Sequence, residues 1–281
     1  MLMRHMVGFA LVVFSCVMLG TGCITPTGGE QPNMLSTDEE IQIGRKMAEE
    51  VEKEEKRLDN PGVQAYVRGM GERIAAQSPR KDVPYEFTVI DNDEVINAFA
   101  LPGGHMYVYT GLMKMCDNEA QLASVMAHEI AHVAAKHHGE TLTRQYRYEA
   151  LMNLVLGTDR TQAQQVLSQL AGAGFALTFS RAQETEADRL GMDFLFRAGY
   201  KPEAMVDFMR KLAQYEAEQG GGQQTSRPIL SAVMRLTASH PATTDRITNL
   251  DALVQTYPLE LRNQSPTYFE RYKKNALDVL Q

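Results

Sequence analysis

The pentapeptide HEIAH, residues His128–His132, has the residue types and spacing of a metal-binding helix. On a helix, residues four apart differ by about 40° in direction and about 6 Å in height, so the two imidazoles can share one zinc ion. Glu129 points about 100° away from His128, so its carboxylate is expected beside the metal, where it can take a proton from water. The alternative interpretation is a pair of surface histidines, but the apolar residues around the motif favour burial.

Two further histidines, His137 and His138, offer one source of a third ligand. One class of zinc peptidase extends the motif to H-E-x-x-H-x-x-G-x-x-H, in which the glycine lets the chain leave the helix. This chain has Ala135 at the glycine position, so the helix is predicted to continue to Gly139. In a continuous helix both histidines point about 120–140° away from His132. We therefore interpret them as polar residues at a helix end, favoured there by the helix dipole.

A glutamate further along the chain offers the other source of a third ligand. Glu184 follows the motif after fifty-one intervening residues and begins the segment ETEAD. Asp188 lies four residues later, on the same helix face. The pattern predicts Glu184 as a ligand and Asp188 as the acceptor for the outer N–H of a ligand histidine, with His128 as the expected donor. Glu186, between them, is expected on a solvated face.

The segments around these residues predict an α+β protein that is mainly α-helical. A helix with an acidic first turn is predicted to begin at Ser36, and another at Val63, after an Asn-Pro-Gly break. Alternating residues predict strands over 85–90 and 106–109. Between them the segment NAFALPGG holds a Pro-Gly-Gly turn, which predicts a small antiparallel sheet directly before the motif helix.

The composition is that of a globular protein and argues against nucleic acid as a partner. The chain has 281 residues, a hydrophobic content of 44% and a net charge of −7, with no long basic run. Its three cysteines are Cys16, Cys23 and Cys116. Because the first two lie in or directly after an N-terminal apolar run, Cys116 is left without an intrachain partner and is expected to be a small buried hydrophobe.

Residues 1–22 have the pattern of an export signal. Arg4 precedes an apolar run over 6–19, which is shorter than the roughly 17–25 residues of a membrane-spanning helix. Small residues then lead to Gly22-Cys23, which resembles a bacterial lipoprotein cleavage site. We expect lipid attachment at Cys23, a flexible tether over 23–35 and a location on the periplasmic face of the outer membrane. Simple signal cleavage and a soluble periplasmic protein are the alternatives.

Four motifs, in order, resemble those of metallopeptidase family forty-eight, the zinc gluzincins that include the CAAX prenyl protease and the bacterial heat-shock membrane protease. They are NAFALPGG, HEIAH, ETEAD and SHPATTDRI, the last at residues 239–247. The resemblance covers about 36–250. It implies a zincin-like metallopeptidase domain, which we assign to 36–254, and we expect the helical segment 255–281 to pack on that core.

The resemblance also implies a site. One Zn²⁺ ion per chain would be held by His128, His132 and Glu184, with Glu129 as general base and Asp188 supporting a ligand. An edge strand beside the cleft would bind an extended substrate through main-chain hydrogen bonds. The residues of the predicted edge strand are Asn97, Ala98, Phe99, Ala100, Gly103 and Gly104.

Two residues of the last motif, His240 and Arg246, would approach the metal. The roles implied for them are stabilisation of the oxyanion or, for His240, occupation of the open metal position in a resting state. The alternative interpretation of His240 is a loop residue before a helix.

The expected function is that of a zinc-dependent endopeptidase of the cell envelope, acting in protein quality control on misfolded or misassembled envelope proteins. A bound zinc would lower the pKa of water toward about 7, and Glu129 would pass the proton to the leaving amine. The partners implied are polypeptide substrates and, through lipid at Cys23, the membrane. The alternative is a non-hydrolytic chaperone or assembly factor for outer-membrane proteins that uses the same cleft.

Overall fold

The computed structural model describes residues 33–172, 177–220, 240 and 243–280. The predicted export signal, Cys23 and most of the predicted tether lie outside these residues. The last part of the predicted tether, 33–35, belongs to the folded part, because Leu35 is buried and the Asn33 amide donates to Glu40. Within the described residues, no helix combines the length and the apolar character that crossing a bilayer requires.

The first helix begins where the sequence predicts, and the second begins at Pro61, two residues before the predicted Val63. The α1 helix, Thr37–Glu54, is capped by Ser36, whose hydroxyl accepts from the Glu39 N–H while the Glu39 carboxylate accepts from the Ser36 N–H. The α2 helix, Pro61–Ala75, is capped by the side chain of Asn60. Both starts satisfy backbone N–H groups that a helix cannot pair internally.

A three-stranded sheet follows, formed by β1 (Glu86–Ile90), β2 (Ala98–Ala100) and β3 (His105–Tyr109). The central strand is β3; β2 pairs with it antiparallel and β1 pairs with it parallel. The prediction of an antiparallel sheet was therefore wrong for one of its two pairings. The hairpin of β2 and β3 lets β2 take the outer position, and this leaves the other side of β3 open to β1.

Beyond the sheet the described chain is helical, which confirms the mainly α-helical class. The helices are α3 (Thr110–Met115), α4 (Glu119–Ala134), α5 (His137–Gln145), α6 (Tyr148–Leu156), α7 (Arg160–Gly172), α8 (Arg181–Arg197), α9 (Glu203–Gly220), α10 (Thr244–Val254), α11 (Leu259–Gln264) and α12 (Phe269–Tyr272), followed by a π-helical turn over Lys273–Leu277.

The sheet separates two apolar clusters. Val89, Ala98 and Val108 face a cluster that includes α2, α4, α8 and α9, whereas Phe99 and Tyr107 face a cluster built from α1, α6 and α7. Each face of the sheet is thus covered by helices, which is the usual way to bury a sheet of this size. The motif helix α4 lies inside the first cluster.

Helix α4 is held at both ends by buried charges. At its start, the carboxylate of Glu119 accepts hydrogen bonds from Tyr66, Arg73, Tyr200 and Arg271. Because Arg271 belongs to the C-terminal segment, this contact ties 255–280 to the first turn of α4. The same carboxylate lies in the first turn of α4, where the helix dipole favours a negative charge.

At the other end, α4 stops earlier than predicted. It ends at Ala134 and does not reach Gly139, because Lys136 adopts a left-handed conformation with φ of 62° and α5 begins directly afterwards. Arg80 donates to the Val133 carbonyl at 2.8 Å, which satisfies one of the last carbonyls of the helix. A side chain at Gly139 would lie 2.4–2.5 Å from atoms of Asn33 and Glu40, so close packing against α1 holds α5 in its new direction.

Candidate metal centre

Four side chains converge between α4 and α8. The Nε2 atoms of His128 and His132 lie 3.0 Å apart, as expected for residues one turn apart on a helix. Glu184, on α8, places Oε2 3.4 Å from Nε2 of His128 and Oε1 3.4 Å from Nε2 of His132. His240 completes the group, with its Nδ1 2.8 Å from Glu184 Oε1 and 3.2 Å from His128 Nε2.

This group fits a bound metal ion. The four donor atoms lie within 4.8 Å of one another and all four residues are buried. In a tetrahedral zinc site with bonds of about 2.0–2.1 Å, neighbouring donors are separated by about 3.4 Å. The contacts of 2.8–3.4 Å described above are close to that separation. Three imidazoles and one carboxylate are ligands suited to a divalent transition metal.

Close packing of α8 on α4 brings Glu184 to the histidines. Gly191 lies on the same face of α8, seven residues after Glu184, and a side chain there would meet the backbone of His128 at 3.0 Å. The start of α8 is fixed by a capping box in which Ser180 and Gln183 exchange hydrogen bonds. The glycine therefore permits the short distance between helices, and the cap fixes the turn that carries Glu184.

Behind the ligands lies a bidentate ion pair. Asp188 Oδ1 is 3.0 Å from Nδ1 of His128, the ring nitrogen that points away from the donor group. Arg246, on α10, donates to both oxygens of Asp188 at 2.8 and 2.7 Å, and its third nitrogen lies 2.8 Å from Glu184. The single positive charge of the guanidinium is therefore shared between the carboxylates of Asp188 and Glu184. A role for Arg246 in stabilising an oxyanion stays a prediction.

Both carboxylates are held ionised. Burial raises the pKa of Glu184, but the charge of His240 and hydrogen bonds from the neighbouring histidines outweigh it and hold that pKa well below its usual range. Burial also raises the pKa of Asp188, and hydrogen bonds from His128 and Arg246 more than offset it, so that this pKa is lowered too. Each group is thus available as a negatively charged ligand or acceptor at neutral pH.

The two motif histidines differ in their electrostatics. Burial lowers the pKa of His128, but hydrogen bonds with Asp188 and Glu184 and the charges of both outweigh it and raise that pKa to about 9. The pKa of His132 is lowered well below its ordinary value by burial, which the single carboxylate of Glu184 does not offset. A bound cation would favour the unprotonated Nε2 in both rings, because it competes with the proton for the same lone pair.

Glu129 lies between the donor group and the sheet. Its Oε2 accepts a hydrogen bond from the Ala100 N–H at 3.1 Å, and its Oε1 lies 3.3 Å from Nε2 of His240. The carboxylate is therefore next to the ligands without being one of the four donors, as the helical spacing predicts.

Comparison with known proteins decides the family. Residues 61–254 match the model of peptidase family M48. The chain belongs to this family. It is 34% identical over 194 residues to the beta-barrel assembly-enhancing protease of Escherichia coli (strain K12), an alignment that covers 66% of this chain and 40% of that protein. The family predicted from the four sequence motifs is thus confirmed. The mainly helical fold that the resemblance implies is also present in the structure.

Two other relatives give the same result. The putative beta-barrel assembly-enhancing protease of Vibrio cholerae is 30% identical over 234 residues, which is 80% of this chain and 46% of that protein. The mitochondrial metalloendopeptidase OMA1 of Saccharomyces cerevisiae is 34% identical over 154 residues, covering 55% of this chain and 42% of that protein. This M48 chain therefore spans less than half of the length of each of the three relatives.

The predicted edge strand is present in part. Ala98, Phe99 and Ala100 form β2, and Asn97 precedes it, with its carbonyl accepting from the Tyr109 N–H at 3.1 Å. The Phe99 ring stacks on Tyr107, on the sheet face that α1 covers. Of the described strand residues, Ala100 donates a hydrogen bond to Glu129.

Gly103 and Gly104 do not belong to the edge strand, so the prediction was wrong for both. They lie in a 3₁₀ turn, Pro102–Gly104, with φ of 76° and 99°. A side chain at Gly103 would lie 2.6 Å from the backbone of Ile41. These glycines let the chain reverse tightly against α1, since only glycine adopts such angles without strain.

The interpretation of His137 and His138 as polar residues at a helix end was also wrong. Both are only 2% exposed. His137 Nδ1 lies 3.0 Å from His132 Nδ1, and His138 Nε2 lies 2.9 Å from the carbonyl oxygen of Ala100. Burial, together with the charge of His137, lowers the pKa of His138 to about 3, so that its ring is neutral at pH 7. Neither histidine is among the four donors of the described metal group.

Sequence reasoning missed Phe179, whose ring stacks on His132 with centroids 3.9 Å apart. The residue precedes Ser180, the cap of α8, and an apolar residue at that position commonly packs back onto its surroundings. That local signal could have suggested burial of Phe179, although not its partner. Cys116 is buried as expected, and burial raises the pKa of its thiol.

Proposed function

We propose that this M48 protein is a zinc-dependent endopeptidase of the bacterial cell envelope. The observation that carries the proposal is the buried group of three histidines and one glutamate, with Glu129 fixed beside it by the edge strand. Membership of a peptidase family supports the reaction class. A metal site with a purely structural role would not require a carboxylate held next to the ligands.

His128, His132 and Glu184 would hold the metal, and Asp188 would keep the Nδ1 proton of His128 so that its Nε2 faces the ion. When bound, zinc supplies a Lewis acid that activates water and stabilises negative charge on a carbonyl oxygen. The side chains of the protein position the reactants and transfer the proton.

Glu129 is the group that moves the proton. Its Oε2 is held by the Ala100 N–H, which leaves Oε1 directed toward the donor group and His240. From there it takes a proton from the attacking water and delivers it to the nitrogen of the leaving amine. The hydrogen bond to the strand restricts the rotation of the carboxylate, which lowers the entropic cost of reaching the reactive geometry.

His240 makes this form a resting state. A catalytic zinc site keeps one position open, whereas four protein ligands are typical of a structural site. With His240 within 2.8–3.2 Å of two other donors, the group has four protein ligands. The histidine must withdraw before water can enter, so we propose that His240 keeps the peptidase latent until its side chain leaves the group.

The natural substrates are proposed by analogy. Relatives named beta-barrel assembly-enhancing protease support polypeptides of the bacterial envelope as substrates. The N-terminal pattern that ends at Cys23 supports export and lipid attachment, and hence a place on the periplasmic face of the outer membrane. Simple release into the periplasm is the alternative. These substrates and this location together lead us to propose a role in protein quality control during envelope assembly.

The substitution Glu129→Gln tests the reaction. It preserves the shape of the side chain and removes the base, so the purified variant is expected to retain one zinc ion per chain and to lose cleavage of casein by at least about 10²-fold. Zinc content is measured by mass spectrometry of the native protein. A zinc-loaded Glu129→Gln variant that cleaves at the rate of the unchanged protein contradicts the proposal.

The same substitution distinguishes the alternative function. If Glu129→Gln still complements a deletion strain, the protein acts as a non-hydrolytic chaperone or assembly factor. If complementation fails, comparison of membrane proteins between the two strains reveals the substrates that accumulate.

His240→Ala tests the resting state. We expect faster cleavage of casein, because the fourth ligand is removed while the other three ligands and the base remain. A loss of activity at unchanged zinc content assigns His240 to stabilising the transition state instead.

A further inference from the structure

We propose that His137 and His138 are positioning residues: the first orients the metal ligand His132, and the second holds the free edge of β2. The first turn of α5 would thereby fix the distance between the metal and the substrate strand. The inference rests on the proposed peptidase function, and it explains two buried histidines that the proposed mechanism does not use.

The backbone turns these two side chains inward. The left-handed conformation of Lys136 ends α4 and starts α5 in a new direction. Such a conformation is uncommon for residues other than glycine and asparagine. Asn33 and Glu40, packed against Gly139, leave no room for a side chain at that position and hold the turn in place. Both histidines consequently point into the protein.

The contact between His132 and His137 determines the tautomers of both rings. Nε2 of His132 faces the donor group, so it must keep its lone pair for the metal. The proton of this ring therefore lies on Nδ1, which can donate to Nδ1 of His137 at 3.0 Å. The proton of His137 is then on Nε2, which lies 3.5 Å from a carboxylate oxygen of Glu186.

The two ligand histidines thus have different supports. His128 is backed by the carboxylate of Asp188, itself paired with Arg246, whereas His132 is backed by an imidazole. An outer partner fixes the orientation of a metal-bound ring, and loss of such a partner typically weakens metal binding by about 10–100-fold. His137 is the group in position to do this for His132.

His138 acts on the substrate side. Asn97 and Leu101 form hydrogen bonds with β3, and because residues alternate along a strand, the main-chain groups of Ala98 and Ala100 point to the free edge of β2. At Ala100 both groups are engaged: the N–H by Glu129 and the carbonyl by Nε2–H of His138. The outward-facing groups left for a substrate strand are therefore those of Ala98, which is buried in this structure and would have to be uncovered before a substrate could pair with it.

This arrangement sets the register of the substrate. If the Ala100 carbonyl were released, a substrate strand could also pair with Ala100 and shift along β2. Because side chains alternate with a period of two, this shift would be two residues. His138 thus keeps the substrate in one register relative to the metal, and the neighbouring His137 keeps the ligand in one orientation.

Zinc affinity of the apo protein tests the role of His137 without any cleavage. In competition with a chelator, we expect His137→Ala to bind zinc about 10–100-fold more weakly, and His137→Asn to recover part of the affinity because its amide oxygen accepts from His132. His138→Ala and the matched control His105→Ala, at a histidine that contacts Glu86, should stay within about 3-fold of the unchanged protein. Equal affinity in a folded His137→Ala variant overturns the role of that histidine.

Two measurements test the role of His138. Hydrogen exchange of the peptide that contains 97–101 should be faster in His138→Ala than in His137→Ala. This measurement does not depend on peptidase activity. In zinc-saturated protein, a defined unfolded peptide cleaved by His138→Ala should show a second cut two residues from the first, whereas His138→Gln, which keeps a donor, should cut as the unchanged protein does. Unchanged exchange and unchanged cut sites overturn the proposal.

The experiments separate this inference from the proposed function. If neither the zinc-loaded unchanged protein nor zinc-loaded His240→Ala cleaves casein, the peptidase proposal fails, while zinc affinity and hydrogen exchange still decide the roles of both histidines. If Glu129→Gln abolishes cleavage but both histidine variants behave as the unchanged protein, the peptidase proposal stands and the positioning roles are wrong.

Discussion

The two edges of the sheet differ in the groups that bond to their backbone. Along β1, the side-chain amide of Gln64 both donates to and accepts from the backbone of Val89, at 2.9 and 3.0 Å, and Leu58 donates to the same carbonyl. Along β2, the groups at the edge are held by two side chains of the candidate site, Glu129 and His138.

The difference shows how one small sheet can offer a single binding edge. An exposed edge presents unpaired backbone groups to any extended chain, so proteins cover the edges they do not use. The β1 edge is covered by its own chain and by a buried amide, which unfolding alone would remove. At the β2 edge, Glu129 and His138 engage the main-chain groups of Ala100 and leave those of Ala98 for an extended chain. Under the proposed function, β2 is therefore the edge that receives the substrate, next to the donor group.

The largest effect is expected from a break at the β2 edge. Ala100→Pro removes the N–H that holds Glu129, and a proline is tolerated there because this N–H points away from β3. We expect cleavage of casein to fall about 10²-fold, since a small displacement of a catalytic group has effects of that size. Because the buried Glu129 carboxylate also loses a hydrogen bond, the melting temperature should fall as well, so cleavage is compared per folded molecule.

A control at the neighbouring outward position sharpens this result. Ala98→Pro removes an N–H at the same edge that contacts no catalytic group, so it should raise KM for an unfolded substrate while kcat is retained. If both variants lose kcat equally, the edge acts only through its fold, and the contact with Glu129 has no separate role.

A smaller effect is expected from a break at the β1 edge, and it should appear in stability. Gln64→Ala leaves the buried N–H of Val89 without its partner, which costs about 1–3 kcal/mol of unfolding free energy. Chemical denaturation measures the loss, with Gln42→Ala, at an exposed glutamine of α1, as the control. Cleavage per folded molecule should be unchanged. A drop in kcat at full folding would mean that β1 also contributes to the site.

The parts of this comparison that the sequence predicts are local. Ser36 marks a helix start through hydrogen bonds within three residues, and the spacing of His128 and His132 follows from one turn of helix. Glu184 was predicted from its spacing to Asp188 together with the HEIAH motif, but its distance from the histidines depends on how α8 packs on α4.

What could not be predicted depends on contacts between distant segments. The end of α4 at Lys136 depends on the packing of Gly139 against α1, so the local argument from Ala135 gave the wrong helix end. Because the end of α4 was misplaced, the burial of His137 and His138 was not predicted either. The parallel pairing of β1 with β3 likewise depends on where the hairpin folds back, which alternation within a strand does not report.

The smallest effect concerns metal removal, and it compares the two edges directly. Under the proposed function, dialysis against a chelator removes the charge that would hold the four donors together, so α4 and His240 gain freedom to move. Because Glu129 and His138 link that region to β2, hydrogen exchange over 97–101 should rise a few-fold, whereas exchange over 86–90 should remain the same, since Gln64 and Leu58 do not touch the site. Equal increases at both strands would mean that the metal stabilises the whole fold and that the β2 edge is not specifically coupled to it. A rise confined to β2 would show that loading the metal also orders the strand that receives the substrate.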